Sequence, residues 1–353
     1  MNQLDRYVGR TVLVAILLVL GIIVGLDAFA AILNEAEDVS ESYSFLNALS
    51  YVVLTLPGRF YEFIPFAALI GCLIGLGQLA TTSELVVMRG AGVSVARLVW
   101  ITMKPALVVA VAGILLGEYI APKTQQLAES RRAIALNPGE GVAGKHGLWI
   151  REGDTFLHVN ALEPNGVAYG ITLVRFDEQQ RMEWSLSAQR ASFQRDHWVL
   201  ERAVKTDFTR WATSVSEHTT LRWDTGITPD LLALEVLSPD QLPLDDLYRY
   251  GRYLMQQGLE ADDFELAFWR KLLQPLAVAG LVLVAISFVF GPLRDGTMGF
   301  RIFAGVIVGI VFRTSQDLLG PSSLVFGFSP LYAALAPIAV CILAGLLLLS
   351  RAR

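Results

Sequence analysis

Apolar residues in this chain gather in six long blocks, at 11–33, 46–79, 97–120, 266–290, 298–319 and 331–350. Each supplies the ~20 mostly apolar residues that crossing a bilayer core requires. The second block carries Pro57, Arg59, Glu62 and Pro65, so it is expected to start as a kinked or tilted segment. Between the third and fourth blocks the pattern changes. There the chain is polar and mixed, and stretches 155–159, 170–176, 182–188, 198–204 and 214–223 read as strands, several alternating with period two. Turn signals at Gly153-Asp154, Pro164-Asn165-Gly166, Asp177-Glu178 and Asp196-His197 separate them, a spacing that predicts an antiparallel sandwich or jelly-roll-like sheet. The expected fold is an α-helical polytopic membrane protein of six transmembrane helices with an inserted all-β, jelly-roll-like domain. Residues 1–120 hold spans 1–3, 121–262 the β domain and an interfacial linker, and 263–353 spans 4–6.

One short stretch between spans 2 and 3, residues 81–94, reads as a two-turn helix with its own start and stop. Thr81 and Glu84 have capping-box spacing, Gly90 and Gly92 suit the positive φ that ends a helix, and Ser94 suits the start of the next. A helix this short does not stand alone in water. Its apolar content (Leu85, Val86, Val87, Met88) exceeds what a solvated loop needs. Either it lies on the membrane surface or it fills a groove in a partner.

Charge fixes the orientation. Arg6 and Arg10 precede span 1, Arg89, Arg97 and Lys104 surround the second loop, Arg294 and Arg301 flank the fourth, and Arg351 and Arg353 end the chain. The short loops 34–44 and 320–330 contain no Lys or Arg. Basic loops stay on the cytoplasmic side, so both termini and the loop helix are expected inside and the β domain outside, in the periplasm of a bacterial host. Arg6, Arg10, the apolar run and Ala28-Phe29-Ala30 share features with a cleavable signal. The run 11–26 is at the long edge for one, and cleavage would leave five spans. A composition of 54% apolar and 17% charged residues excludes an ordinary soluble domain. The net charge of −5 gives no sign of a nucleic-acid partner. Cys72 and Cys341 lie inside apolar runs, so no disulfide is expected.

Candidate chemistry is thin. The segment from Gly139 through Gly144-Lys145-His146 approaches a phosphate-binding loop, but His146 stands where Ser or Thr must ligate magnesium. The four histidines (His146, His158, His197, His218) are scattered through the middle of the chain and assemble no catalytic or metal constellation. Small-residue spacings occur at Gly21/Gly25, Gly71/Gly75, Gly113/Gly117 and Gly305/Gly309, where helices can approach closely. Asp27, Glu118, Arg313 and Asp317 lie within or near the ends of apolar blocks, where charge is expensive unless paired. Arg313 and Asp317 have the spacing to neutralise each other. A basic set (Lys123, Arg131, Arg132, Arg270, Lys271) stands at the expected outer interface, where guanidinium donors suit lipid phosphates and ordinary headgroup anchoring is the simpler use. Residues 242–256, with Tyr248, Arg249, Tyr250, Arg252 and Tyr253, read as an interfacial helix leading into span 4, which Asp262 or Asp263 is placed to cap.

Taken together, Leu4-Asp5-Arg6-Tyr7, Ser83-Glu84-Leu85-Val86-Val87-Met88, Gly117-Glu118-Tyr119 with Ala121-Pro122, Gln274-Pro275-Leu276, and Ser287-Phe288 with Gly291-Pro292-Leu293-Arg294 resemble the lipopolysaccharide-export permease family LptF/LptG, most closely its LptG branch. The resemblance runs nearly the full length, in order. It implies a heterodimer with the sister permease LptF, mounted on a dimer of the ATPase LptB, and a jelly-roll domain passing lipid to LptC and a periplasmic bridge. ATP and magnesium would then bind the partner ATPase; no catalytic residue, metal or cofactor is expected on this chain. By the same resemblance, residues 82–89 are the coupling helix, with Glu84, Leu85, Val86, Met88 and Arg89 meeting the ATPase. Spans 1 and 5, with Gly21, Gly25, Gly305 and Gly309, become the lateral gate. Arg132 falls on a basic position that holds lipid phosphates, and Arg131, Arg270 and Lys271 extend that set. One departure stands out: where some family members carry lysines after span 1, this chain has Asn34-Glu35-Ala36-Glu37-Asp38. Two other classes remain open: an ion-coupled secondary transporter using Asp27, Glu118 or Asp317, and a membrane-anchored periplasmic scaffold.

Overall fold

The structure is a computed structural model and describes residues 3–40, 42–136, 148–163, 166–177, 179–209, 211–229, 232, 238–256, 261–290 and 297–351. In chain order the helices are α1 (Gln3–Ala36), α2 (Phe45–Thr81), α3 (Glu84–Gly90), α4 (Val95–Leu115) and, after a π-helical turn at Leu116–Ile120, α5 (Ala121–Leu136). Six strands follow: β1 (Leu148–Glu152), β2 (Thr155–Leu162), β3 (Val167–Phe176), β4 (Met182–Gln194), β5 (His197–Phe208) and β6 (Thr213–Trp223). The chain then returns to helix in α6 (Leu244–Gln256), α7 (Asp262–Phe290), α8 (Met298–Phe326) and α9 (Pro330–Arg351). Six helical runs are long and apolar enough to cross a membrane, with α4, the π turn and α5 forming one continuous run of 42 residues. Third-span helix thus extends well past the expected end at residue 120.

The chain divides into two compact units. The first comprises Met1–Ala28, Pro57–Ile120 and Leu242–Arg353. Its hub is α2, an unbroken helix despite Pro57 and Pro65, with two-thirds of its apolar window buried against 17% for α8. Glycine explains the close approaches. A side chain at Gly71 or Gly75 would meet Ile16 or Val12 of α1. At Gly113 and Gly117 it would meet Ile64 and Tyr61, and at Gly305 and Gly309 it would meet Leu73 and Phe66, all on α2. Absence of a Cβ is what lets these backbones come together. Gly21 and Gly25 differ: nothing lies within 4 Å of where their side chains would be. Separately, α7 packs extensively against α9.

The second unit comprises Phe29–Leu56 and Ala121–Gln241. Its sheet is an antiparallel meander in the order β1-β2-β3-β4-β5-β6. Strand alternation shifts parity at one level across it. Val159, Ile171, Ala188 and Ala203 share one row of the core, while Leu162, Ala168, Ala191 and Leu200 share another an odd number of residues away. Gly170 and Arg202 lie between those rows with positive φ, and Asn160 fills the space over Gly170. Such a concerted bulge bends the sheet while keeping one apolar face inward. It lets a single meander enclose a core around Trp198, whose indole N–H donates to the Ile227 carbonyl at 2.7 Å. The inserted antiparallel β domain that the alternation predicted is present as a single six-stranded meander, and among the described residues no crossover connection contributes.

Two local expectations are corrected. Thr81 does not cap α3: it ends α2, its hydroxyl bonded back to the Gln78 carbonyl at 2.8 Å. Ser83, in a left-handed conformation and without a side-chain cap, precedes α3 instead. Two helices separated by so tight a turn leave no extended residue to form the box. Of the two glycines, only Gly92 takes positive φ. Ser94 does cap α4, accepting from the Arg97 amide at 3.3 Å. The segment from Gly139 to His146 and the motif Gly291-Pro292-Leu293-Arg294 lie outside the described residues.

Candidate functional site

The loop helix presents two faces. Leu85 and Met88, spaced three apart, are buried in the chain at 3% and 9% exposure. Val86 and Val87 point out at 57% and 69%, beside exposed Arg89. The coupling set drawn from sequence therefore splits: Leu85 and Met88 seat the helix, and Val86 and Arg89 face away from it. Val87, absent from that set, is more exposed than either neighbouring apolar residue. Glu84 is half-buried and accepts from the Thr82 hydroxyl at 3.0 Å. Its carboxylate also faces the Tyr7 hydroxyl of α1. Close by in sequence, the Arg97 guanidinium donates to Asp5 of α1 at 3.2 Å. Span 1 thus starts beside Glu84 of α3 and is held to Arg97 at the start of α4. An apolar pair displayed outward beside charged residues offers a peg for a groove in another protein.

The four charges that the sequence places in or near the ends of apolar blocks each have an ion-pair partner. Asp27 of α1 takes the guanidinium of Arg59 in α2. Arg313 of α8 reaches Glu62 of α2 at 2.5 Å and Asp317 at 3.6 Å. Glu118 reaches Lys271 at 3.1 Å. Sequence spacing found the Arg313–Asp317 partnership but not Glu62, whose contact is set by helix packing.

The four basic residues assigned to a headgroup fall into different environments. Lys271 is 6% exposed, and its ammonium is taken up by the Gly117 carbonyl at 3.0 Å, the Leu242 carbonyl at 2.8 Å and Glu118. Buried against two accepting carbonyls and paired with Glu118, that ammonium is not open to a lipid phosphate; this revises the sequence expectation for Lys271. Arg270 donates to the Gln316 carbonyl of α8 at 2.6 Å, lying over Gly320. Arg132 is clamped by Glu35 at 3.0 Å and Asp38 at 2.5 Å, over the ring of Tyr51. Two of the acids that follow span 1, Glu35 and Asp38, thus serve to hold Arg132. Tyr43 completes the clamp, donating to Glu35 at 2.7 Å; burial, and then the carboxylate beside it, pushes its phenol above the ordinary value. Arg131 is exposed and has no ion-pair partner among the described residues. It shares with Arg132, Tyr43, Tyr51, Asn47 and Ser50 the lining of a cavity of about 230 Å³.

No group of three or more metal-ligating side chains occurs among the described residues.

Comparison with known proteins gives a consistent answer. The family profile described as "Lipopolysaccharide export system permease LptF/LptG" matches residues 6–351. The chain is 35% identical over 352 residues to the lipopolysaccharide export system permease protein LptG of Escherichia coli (strain K12), across 99% of this chain and 98% of that protein. It is 36% identical over 355 residues to the protein of the same description from Haemophilus influenzae, across 100% and 99%.

Proposed function

This chain belongs to the LptF/LptG family of lipopolysaccharide export system permeases, and from that premise we propose that it is the non-catalytic membrane half of an ATP-driven extractor whose engine is a separate ATPase. It is a multi-pass inner-membrane permease of lipopolysaccharide export. In this reading both termini and α3 face the cytoplasm, and the β domain faces the periplasm. An LptB-type dimer binds ATP and magnesium, LptF supplies the other half of the path, and LptC receives the lipid. Lipopolysaccharide enters beside span 1 or span 5, and closure driven by nucleotide moves it on towards the β domain and the bridge.

The observation that carries the coupling role is the split face of α3. A seven-residue helix anchored by Leu85 and Met88 holds Val86 and Val87 outward, which costs free energy in water unless something covers them. Glu84 stands at its first turn, tied to the α2–α3 turn and facing α1. Movement of α3 in a partner's groove would therefore be felt directly by span 1. Of the four residues assigned to a headgroup, Arg131 beside its cavity is the one left open to a lipid phosphate, with Arg132 holding the wall in place.

Asp27, Glu118 and Asp317, the acids that the ion-coupled alternative would use, each meet a basic residue of the same chain, which weighs against that alternative. A scaffold role is separated from export by replacing the spans with an unrelated anchor: a scaffold keeps its function and a permease loses it.

The deciding experiment is gentle-detergent copurification of Glu84→Ala beside Thr82→Ala and the parent chain. Thr82→Ala removes the local hydrogen bond but leaves the carboxylate for a partner. Glu84→Ala alone should lose the ATPase or uncouple hydrolysis from lipid release. Equal assembly and transport in all three would remove Glu84 from the mechanism.

A further inference from the structure

We propose that Glu118 and Lys271 are positioning residues for export, fixing the amphipathic helix α6 as a strut between spans 3 and 4; this inference rests on the reading above that motion of the spans drives lipid transfer. Four pieces of chain meet at this knot. Widening of span 3 into a π turn at Leu116–Ile120 leaves carbonyls outside the regular ladder, and that of Gly117 is taken by Lys271 of span 4 at 3.0 Å. Lys271 also holds the Leu242 carbonyl at 2.8 Å, at the residue where the chain returns to the membrane unit. Glu118 answers with both oxygens: one pairs with Lys271, the other accepts from the Leu244 amide at 2.8 Å, the first residue of α6. Tyr61 of span 2 closes the site, its ring 5.9 Å from the ammonium.

From this anchor α6 runs along α7. Leu247 and Tyr250 are buried, with Tyr250 stacked edge-on against Phe264 at 4.8 Å and Tyr248 at 6.1 Å from Phe268. Sequence alone suggested an interfacial helix leading into span 4; its buried residues are covered by the start of that span. A helix pinned at its first amide and packed along its length moves with the two spans as one body. The return segment then follows whatever the spans do. A charge pair buried merely for stability would be matched by apolar residues of similar volume; what such a replacement cannot supply is the fixed position of α6.

The test uses the complex copurified with its ATPase and sister permease, reconstituted in phospholipid vesicles containing lipopolysaccharide, in a background lacking Cys72 and Cys341. Lys271→Met with Glu118→Leu replaces the knot by apolar side chains. Assembly and ATP hydrolysis should stay near the parent level, while ATP-dependent transfer of lipopolysaccharide to its acceptor falls about tenfold, in the range of ordinary coupling between sites. Gly251→Cys with Phe264→Cys then refastens α6 to α7: a Cβ at Gly251 lies 3.6 Å from that of Phe264, within disulfide reach. Oxidation should restore transfer and reductant should abolish it again. Should the double variant fail to assemble, Leu244→Pro, which removes the amide bound to Glu118 at a first helical position where proline is tolerated, carries the same test. Parent-level transfer without the knot, or loss that the formed disulfide does not repair, overturns the proposal. Failure of the underlying reading shows elsewhere, in an unmodified complex that hydrolyses ATP and moves no lipid.

Discussion

Two adjacent pairs of basic residues, Arg131-Arg132 after span 3 and Arg270-Lys271 at the start of span 4, look alike in sequence and end in opposite roles. Lys271 is buried with Glu118 and two backbone carbonyls. Arg270 lies on the Gln316 carbonyl. Arg132 is held by Glu35 and Asp38, partly accessible through its cavity. Arg131, its immediate neighbour, stays exposed at the cavity rim. Availability to a lipid phosphate therefore follows how many acceptors the fold has already delivered to each cation. Nearness to the interface does not decide it, because a guanidinium or ammonium with its donors satisfied gains little from another anion.

Graded substitutions sharpen this contrast. Lys271→Ala should have the largest effect, about 3–5 kcal/mol of lost stability, because it strands the Glu118 carboxylate in a buried site. Thermal unfolding in detergent measures it, and a cost below about 1 kcal/mol would place Lys271 with the exposed cations. Arg132→Ala comes next, at about 1.5–3 kcal/mol for charge-assisted hydrogen bonds to two carboxylates. Tyr43→Phe removes one hydrogen bond to Glu35 and should cost about 1 kcal/mol. Since the folded chain holds the Tyr43 phenol above its ordinary value, this part of the stability is present below pH ~10 and is lost as pH rises past that value, where the unfolded phenol ionises first. The phenylalanine variant should lose that alkaline slope.

Smallest of all in stability is Arg131→Ala, within about 0.5 kcal/mol of the parent, yet it should reduce photocrosslinking to lipopolysaccharide more than Arg270→Ala does. The reverse order would move the headgroup site from the cavity to span 4. Arg131→Glu with Arg132→Glu should diminish the crosslink further while the complex stays assembled.

Much of the molecule is legible one residue at a time. Apolar runs of bilayer length, strand alternation with turn signals, and the short helical segment after residue 81 all appear as local pattern. The rest depends on how far each helix runs and on neighbours distant in sequence. The Thr81 cap failed because α2 continues through Thr81. The amphipathic pattern of Leu244–Gln256 marks an interfacial helix but cannot say that Phe264 and Phe268 will cover part of it. The acids of Glu35 and Asp38 read as a missing basic site; in space they are the clamp on Arg132, 97 and 94 residues away along the chain. Of the glycine pairs, sequence offered four equal candidates, and helix packing used three and left Gly21/Gly25 open.

What the sequence determined by itself was the medium and the count: six apolar runs of bilayer length enclosing an alternating β segment, since burial of side chains in lipid or in a sheet is written in their local period. Tertiary structure alone decided which charges are spent and which are free. An ion pair such as Glu118–Lys271 is a matter of distance in space, and its two members carry no mark in the chain that they will meet.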